Sequence, residues 1–182
     1  IDRQMEAAAQ IGLRYHAGRG TNTLPRQEGS TIPEGMLETT EEFIKDTKRL
    51  IDRYHDGGKF SMSQIAVAPC QPSNCYRDTF VESVKLAKET NTRLHTHLGE
   101  GENPIMEKRW GMRTLEWCRQ LGFINENSWL AHCWELTDEE YKLLGETGCG
   151  ISHCPAPAVL GGFPILPMNR LKEYGVLLSI GC

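Results

Sequence analysis

Several features that would indicate a membrane, secreted or nucleic-acid-binding protein are missing from this sequence. No apolar run approaches the roughly 20 residues needed to cross a bilayer, and no signal-peptide pattern occupies the start. The 20 Lys and Arg are outnumbered by 24 Asp and Glu, and the net charge is -4. No basic stripe with interleaved aromatic residues appears either. We therefore predict a small-molecule partner, with neither nucleic acid nor membrane involved.

Common nucleotide and zinc motifs are also lacking. The segment 18–20 has no third glycine and no following helix, so it is not a phosphate loop. Four residues separate Cys70 from Cys75, and the nearest acid follows His97 at x-x-E, so the cytidine-deaminase type of zinc signature fails on spacing. The seven cysteines form no evident disulfide framework. We expect thiols and a cytoplasmic location.

Short apolar runs alternate with longer amphipathic stretches along the whole chain. The spacing of apolar residues predicts strands at 11–15, 64–68, 93–97, 128–132, 149–152 and 176–180. It predicts helices at 39–54, 77–90, 114–120, 137–147 and 167–174. Thr39, Thr137 and the pair Ser73 and Asn74 are the expected N-terminal caps.

This order predicts a parallel α/β sheet, either a closed (β/α)8 barrel of TIM type or an open doubly wound sheet. Six units of roughly 30 residues account for most of a barrel, so we predict residues 1–182 as a single, incomplete barrel domain. An open sheet would instead bind ligands where the strand order reverses. The aperiodic segment 18–35 is predicted as a long loop, either a lid or substrate wall or a solvated surface loop.

The segment 93–100 (RLHTHLGE) carries the strongest chemical signal. His95 and His97 are two residues apart, so they share one face of a strand. Imidazole binds Zn²⁺ or Fe²⁺, and a carboxylate just beyond the ligand can take a proton from water. The segment predicts His97 as a metal ligand and Glu100 as a proton shuttle. Alternatively, the histidines are hydrogen-bonded barrel residues and Glu100 caps a helix.

Further histidines end the next two predicted strands. His132 closes the run 128–132 and is predicted either to bind metal or to donate a hydrogen bond to substrate or hydroxide. His153 either lines the same pocket or ties down a turn that contains Pro155. We expect His55 to interact with the carbonyl end of its helix, and His16 to reach the pocket from the first strand.

Taken together, the segments 94–100, 129–132, 148–155 and 175–181 resemble the amidohydrolase superfamily. The resemblance is to the branch of guanine, 8-oxoguanine and isoxanthopterin deaminases and atrazine-type hydrolases, and segment 13–20 resembles 8-oxoguanine deaminase most. It covers essentially the whole chain, as strands three to eight of the family barrel. It implies one divalent metal, zinc or iron, held by His97. It also implies Glu100 as acid/base, His132 as the residue orienting substrate and water, and Arg19 facing substrate carbonyl groups.

Two parts of the family pattern do not appear in the sequence. These are the H-x-H pair of the first family strand and the Asp of the eighth, so we expect the missing metal ligands on residues beyond both ends of this chain. The full-length protein is then predicted to be a homodimer that deaminates a purine-like heterocycle. The alternatives are removal of chloride or alkylamine from a triazine by the same site, or a non-catalytic fragment or pseudoenzyme.

Overall fold

The computed structural model describes residues 1–181, which form two compact units. One unit comprises Ile1–Cys70 and Asn74–His95, and the other comprises Gln71–Ser73 and the chain from Thr96 onward. The sequence-based prediction of a single domain stays a prediction. Cys182, one of the seven cysteines expected to be thiols, lies outside the described residues.

The first unit alternates helices and parallel strands. Its elements are α1 (Asp2–Ile11), β1 (Tyr15–Thr21), α2 (Thr40–Tyr54), β2 (Ser63–Pro69), α3 (Arg77–Thr90) and the start of β3 (Arg93–Leu98). β1 pairs with β2 from Tyr15↔Ser63 to Thr21↔Pro69, and β2 pairs with β3 at Ala66↔Arg93. Ile65, Ala66 and Val67 are completely buried, because apolar residues cover both faces of this central strand.

The second unit continues the alternation from the end of β3. Its elements are α4 (Asn103–Trp110), α5 (Thr114–Gln120), β4 (Ser128–His132), α6 (Asp138–Thr147), β5 (Gly150–His153), α7 (Pro155–Gly161), α8 (Met168–Glu173) and β6 (Leu178–Ile180). β4 pairs with β5 and β5 with β6, both in parallel. The strands of the sheet follow chain order from β1 to β6. The prediction of a parallel α/β sheet is confirmed.

Both predicted threonine caps are present. Thr39 accepts a hydrogen bond from the amide of Glu42, and the Glu42 carboxylate accepts one from the amide of Thr39. Thr137 and Glu140 form the same reciprocal pair at the start of α6. Such capping boxes satisfy amides that have no partner within the helix. The prediction for Ser73 and Asn74 is wrong, since they lie in the 3-10 turn Pro72–Asn74 and α3 begins after Tyr76.

The first strand is the main error of the sequence-based assignment. Residues 11–15 were predicted as strand, whereas Ile11 ends α1 and Gly12 follows it in a left-handed conformation with φ 69°. β1 instead occupies Tyr15–Thr21, so the predicted loop at 18–35 begins only after Thr21. Gly18, one of the glycines that suggested a loop, instead permits close packing of two strands. A Cβ built on Gly18 would lie 3.2 Å from the Cβ of Ala68, closer than side chains normally approach.

Two helices and one histidine contact also differ from expectation. α4 and α7 were not among the predicted helices, and α7 begins at Pro155, which was predicted to lie in a turn. His55 does not contact the carbonyl end of α2 through its side chain. Its Nδ1 instead accepts a hydrogen bond of 3.0 Å from the amide of Ile65 in β2. Among residues 1–181, no helix is both long and apolar enough to span a bilayer.

Candidate active site

The ends of β3 and β4 bring His97 and His132 together. Exposure alternates along β3, where Leu94, Thr96 and Leu98 are buried and His95 and His97 are partly exposed on the opposite face. The rings of His97 and His132 stack with centroids 5.2 Å apart and planes 25° apart. The carboxyl ends of neighbouring parallel strands therefore place both predicted histidines at one site.

Glu100 faces the same pair. Its Oε1 lies 3.4 Å from Nε2 of His132, whose side chain is almost entirely buried. Burial raises the pKa of Glu100, while His97 lowers it and the charge of Glu102 raises it further. A carboxyl group with a raised pKa beside a buried imidazole suits a group that takes up and releases a proton during catalysis.

The polypeptide after β4 adopts an unusual conformation that fixes His132. His132 and Cys133 both have positive φ, 70° and 63°, which side chains other than glycine rarely adopt. The amide of Cys133 donates to the carbonyl of Leu98 at 2.8 Å, and the amide of Glu135 donates to the carbonyl of Gly99 at 3.1 Å. These bonds tie the end of β4 to the end of β3. Backbone strain of this kind is common at functional sites.

His132 remains neutral over most of the pH range. Burial, together with the neighbouring His97 and His153, lowers its pKa to about 4. Its Nδ1 is buried and has no hydrogen-bond partner among residues 1–181. The same holds for Nδ1 of His153, which is also buried and has a pKa lowered by burial. His153 thus lies close enough to His132 to influence it electrostatically.

Two aromatic rings extend the site on the side of His132. Trp134 meets the His132 ring edge-on with centroids 4.6 Å apart. Phe163 stacks on Trp134 at 4.7 Å with the planes 12° apart and is 43% exposed. We call Trp134 and Phe163 the aromatic ledge. The sequence analysis did not identify it, since neither residue lies in a motif at a strand end.

The other predicted residues belong to the first unit. Arg19 donates to both carboxylate oxygens of Glu38 at 2.8 and 2.7 Å and to Asp46 at 2.8 Å. Its predicted contact with substrate stays a prediction. His16 pairs in register with Gln64 on β2, and its predicted access to the pocket likewise stays a prediction.

The donor groups at the site fit a divalent ion of the zinc type. Imidazole and carboxylate ligands suit Zn²⁺ and Fe²⁺. The buried Nδ1 atoms of His132 and His153 have no hydrogen-bond partner among residues 1–181. Within residues 1–181, no three His, Cys, Asp or Glu side chains come together as a complete metal site. His97 remains the predicted ligand from this chain.

A parallel α/β sheet with histidines and a glutamate at the ends of successive strands is an arrangement typical of the metal-dependent barrel class. The sequence model of the amidohydrolase family matches residues 1–182, and the chain belongs to that family.

Individual relatives are similar over the whole chain. It is 48% identical over 181 residues to hydroxydechloroatrazine ethylaminohydrolase of Pseudomonas sp. strain ADP, covering 100% of this chain and 38% of the relative. It is 33% identical over 183 residues to 8-oxoguanine deaminase of Pseudomonas aeruginosa, covering 100% of this chain and 41% of that protein. The chain thus spans about two fifths of the length of these relatives.

A solved structure agrees with the fold. Atrazine chlorohydrolase from Arthrobacter aurescens TC1, crystallised with zinc, superimposes with a TM-score of 0.94 at 28% identity, covering 99% of this chain and 40% of that one. This match confirms the predicted fold class, an amidohydrolase barrel of which the chain supplies six strands.

Proposed function

We propose that the protein containing this chain hydrolyses a carbon–nitrogen bond between a planar nitrogen heterocycle and an amino or alkylamino substituent. The observation that supports this most is the group formed by His97, Glu100 and His132 at the ends of two adjacent strands. The aromatic ledge adds a flat apolar surface beside His132, which suits a planar ring.

In this proposal His97 holds the divalent ion, together with ligands from outside the described residues. When bound, such an ion supplies Lewis acidity and brings the pKa of water close to neutrality. Glu100 accepts a proton from the attacking water, whose oxygen bonds to the ring carbon. Glu100 then passes a proton to the leaving nitrogen as the carbon–nitrogen bond breaks. His132 donates a hydrogen bond that stabilises the charge developing on the substrate.

Two ring classes compete as substrates. The 48% identity to an ethylaminohydrolase favours an alkylamino group on a triazine. The 33% identity to 8-oxoguanine deaminase supports the sequence-based prediction of a purine-like amine. The proposed chemistry at Glu100 is the same in both cases, so pocket shape would determine the choice of ring.

Glu100→Gln tests the proposed proton transfer. The amide has nearly the same shape but cannot accept the proton, so we expect kcat to fall by at least about 10²-fold. Metal content should stay that of the wild type, because His97 is untouched. The test uses the complete natural protein that contains these residues, with release of ethylamine or ammonia measured on hydroxylated alkylaminotriazines, guanine, 8-oxoguanine and isoxanthopterin.

Glu107→Gln on the exposed side of α4 is the matched control. Glu107 is exposed and lies 3.9 Å from Arg113 in a long ion pair, so kcat of this variant should equal that of the wild type. Near-normal turnover by Glu100→Gln would contradict the role of Glu100. A wild-type protein that binds metal and hydrolyses none of these compounds would contradict the proposed function.

A further inference from the structure

Glu102, two residues beyond Glu100, is a buried carboxylate at the edge of the site. Only 2% of its surface is exposed. Its Oε1 accepts a hydrogen bond of 2.6 Å from the amide of Gly99, and its Oε2 accepts one of 2.7 Å from the amide of Glu100. Both oxygens are therefore used on two consecutive main-chain groups. Charge-assisted bonds of this length are among the stronger ones in proteins.

The position of Glu102 at the start of α4 does not explain why its carboxylate is buried and hydrogen-bonded. Glu102 is the N-terminal cap residue of that helix, yet its side chain makes no capping bond to the helix amides. It turns back towards the preceding loop. A second contact there is the side-chain amide of Gln71, which donates to Oε2 at 3.4 Å.

The residue that follows Glu102 fixes the main chain from which the carboxylate extends. Oδ1 of Asn103 accepts hydrogen bonds of 3.0 Å from both the amide and the hydroxyl of Thr114, at the start of α5. Its Nδ2 donates to the Glu135 carboxylate at 3.2 Å. The carboxylate of Glu102 is thus attached to a part of the chain that is itself anchored.

The loop that carries Glu100 would otherwise have considerable conformational freedom. Gly99 and Gly101 flank Glu100 and have φ of 68° and 102°, in the region that glycine adopts easily. The direction of the Glu100 side chain follows from the orientation of the Gly99 and Glu100 peptide groups. Those two groups are the ones that Glu102 binds.

We propose that Glu102 is a positioning residue, which holds the Gly99 and Glu100 amides so that the Glu100 carboxylate faces His132. This inference rests on the proposed function, since it assigns Glu102 a part in the proton transfer by Glu100. Glu102 itself touches neither substrate nor metal in this arrangement. We call the pair of bonds from Glu102 to the two amides the amide clasp.

Glu102→Gln in the complete natural protein is the test. A glutamine side chain can accept a hydrogen bond from only one of the two main-chain amides. Its own NH₂ group then faces the other N–H donor and cannot bond to it, so one bond of the amide clasp is lost. We expect kcat to fall by about 10- to 100-fold, as for other residues that orient a catalytic group. KM and zinc content should remain within about twofold of the wild type, because substrate and metal contacts are untouched. Glu107→Gln, on the same helix, should leave kcat unchanged.

Hydrogen–deuterium exchange supplies a measurement that does not depend on activity. The Gly99 and Glu100 amides should exchange at least about tenfold faster in Glu102→Gln than in the wild type or in Glu107→Gln. If the wild type hydrolyses no compound of the panel, the proposed function fails, and the exchange rates alone decide whether the amide clasp exists. Unchanged exchange would overturn the inference, as would a folded variant with normal kcat.

Glu102→Asp serves if the glutamine variant does not fold. It keeps the carboxylate but is one methylene shorter, so it cannot reach both amides. The same fall in kcat with unchanged KM is expected. A merely structural role would instead lower zinc content and kcat together in the purified protein, and that result would also overturn the inference.

Discussion

At Gly99 the chain after β3 lies close to the chain after β4. A Cβ at this position would lie 3.1 Å from the Cα of Cys133, and the backbone has φ 68°. For Gly99→Ala we expect a loss of about 1–2 kcal/mol in the free energy of unfolding from the left-handed backbone alone. The clash with Cys133 should add to this loss and displace Glu100. Urea denaturation measures the first effect and kcat the second.

Gly111→Ala separates the two contributions. Gly111 has φ 70°, almost the same as Gly99, yet a Cβ there would meet no atom within 4 Å. Its substitution should therefore cost only the backbone contribution and leave kcat unchanged. Equal losses of stability in the two variants would show that the approach to Cys133 does not matter.

Spacing alone identified the residues at strand ends. His97 and His132 come together in the structure, with Glu100 beside them, because apolar runs end directly at these positions. Glu102 could not be found in this way, since an acid two residues further on reads as an exposed helix start. Only the fold reveals that it is buried and turned towards two amides. The aromatic ledge depends on packing between residues far apart in the sequence, so no local sequence pattern predicts it.

At the scale of elements, the capping box of α6 gives a quantitative test. Thr137 is exposed and its hydroxyl accepts from the Glu140 amide, so Thr137→Ala should lower the free energy of unfolding by about 1 kcal/mol. Thr137→Ser keeps the hydroxyl and should change it little. The two denaturation midpoints measured together distinguish loss of the cap from a general effect of substitution at this site.

The accuracy of the predicted elements depended on how clear their boundaries were. α2 and α6 begin with Thr and acidic residues and were placed within one residue, and α5 was placed without error. β1 was misplaced because its two glycines resemble a loop, whereas one of them, Gly18, permits close contact with Ala68 on β2. The local sequence does not show which neighbour a glycine will face.

At the scale of the whole molecule, partly buried neutral histidines should make stability sensitive to acid. Burial, together with Arg93 and His55, lowers the pKa of His16 from an ordinary 6.5 to about 4. Burial also lowers the pKa of His55. Between pH 6.5 and 4 the unfolded chain therefore binds protons that the folded chain does not, and stability falls as pH falls through this window.

His16→Gln should reduce this dependence, because glutamine stays neutral in both states. We expect a shallower fall in unfolding free energy between pH 6.5 and 4 than in the wild type. Above pH 7 the two proteins should show the same pH dependence, which makes that range an internal control. Identical slopes below pH 6.5 would exclude His16 as a source of the acid sensitivity.

The overall architecture could be predicted because strand and helix periods alternate along the entire chain. The parallel order of β1 to β6 follows from that alternation and from the short connections. The full metal site could not be predicted from this sequence, since a site of this type needs about three protein ligands and the sequence pattern predicts only His97 for that role.

The amide clasp has a consequence for protein engineering. Glu102 accepts hydrogen bonds from the main-chain amides of residues 99 and 100, so any replacement of Glu100 other than proline leaves both hydrogen bonds available. The main chain at position 100 should thus stay in place when its side chain is replaced, so a different functional group, such as an imidazole or a thiol, could face the same substrate. Libraries aimed at new chemistry should vary this position and keep 99 and 102 fixed.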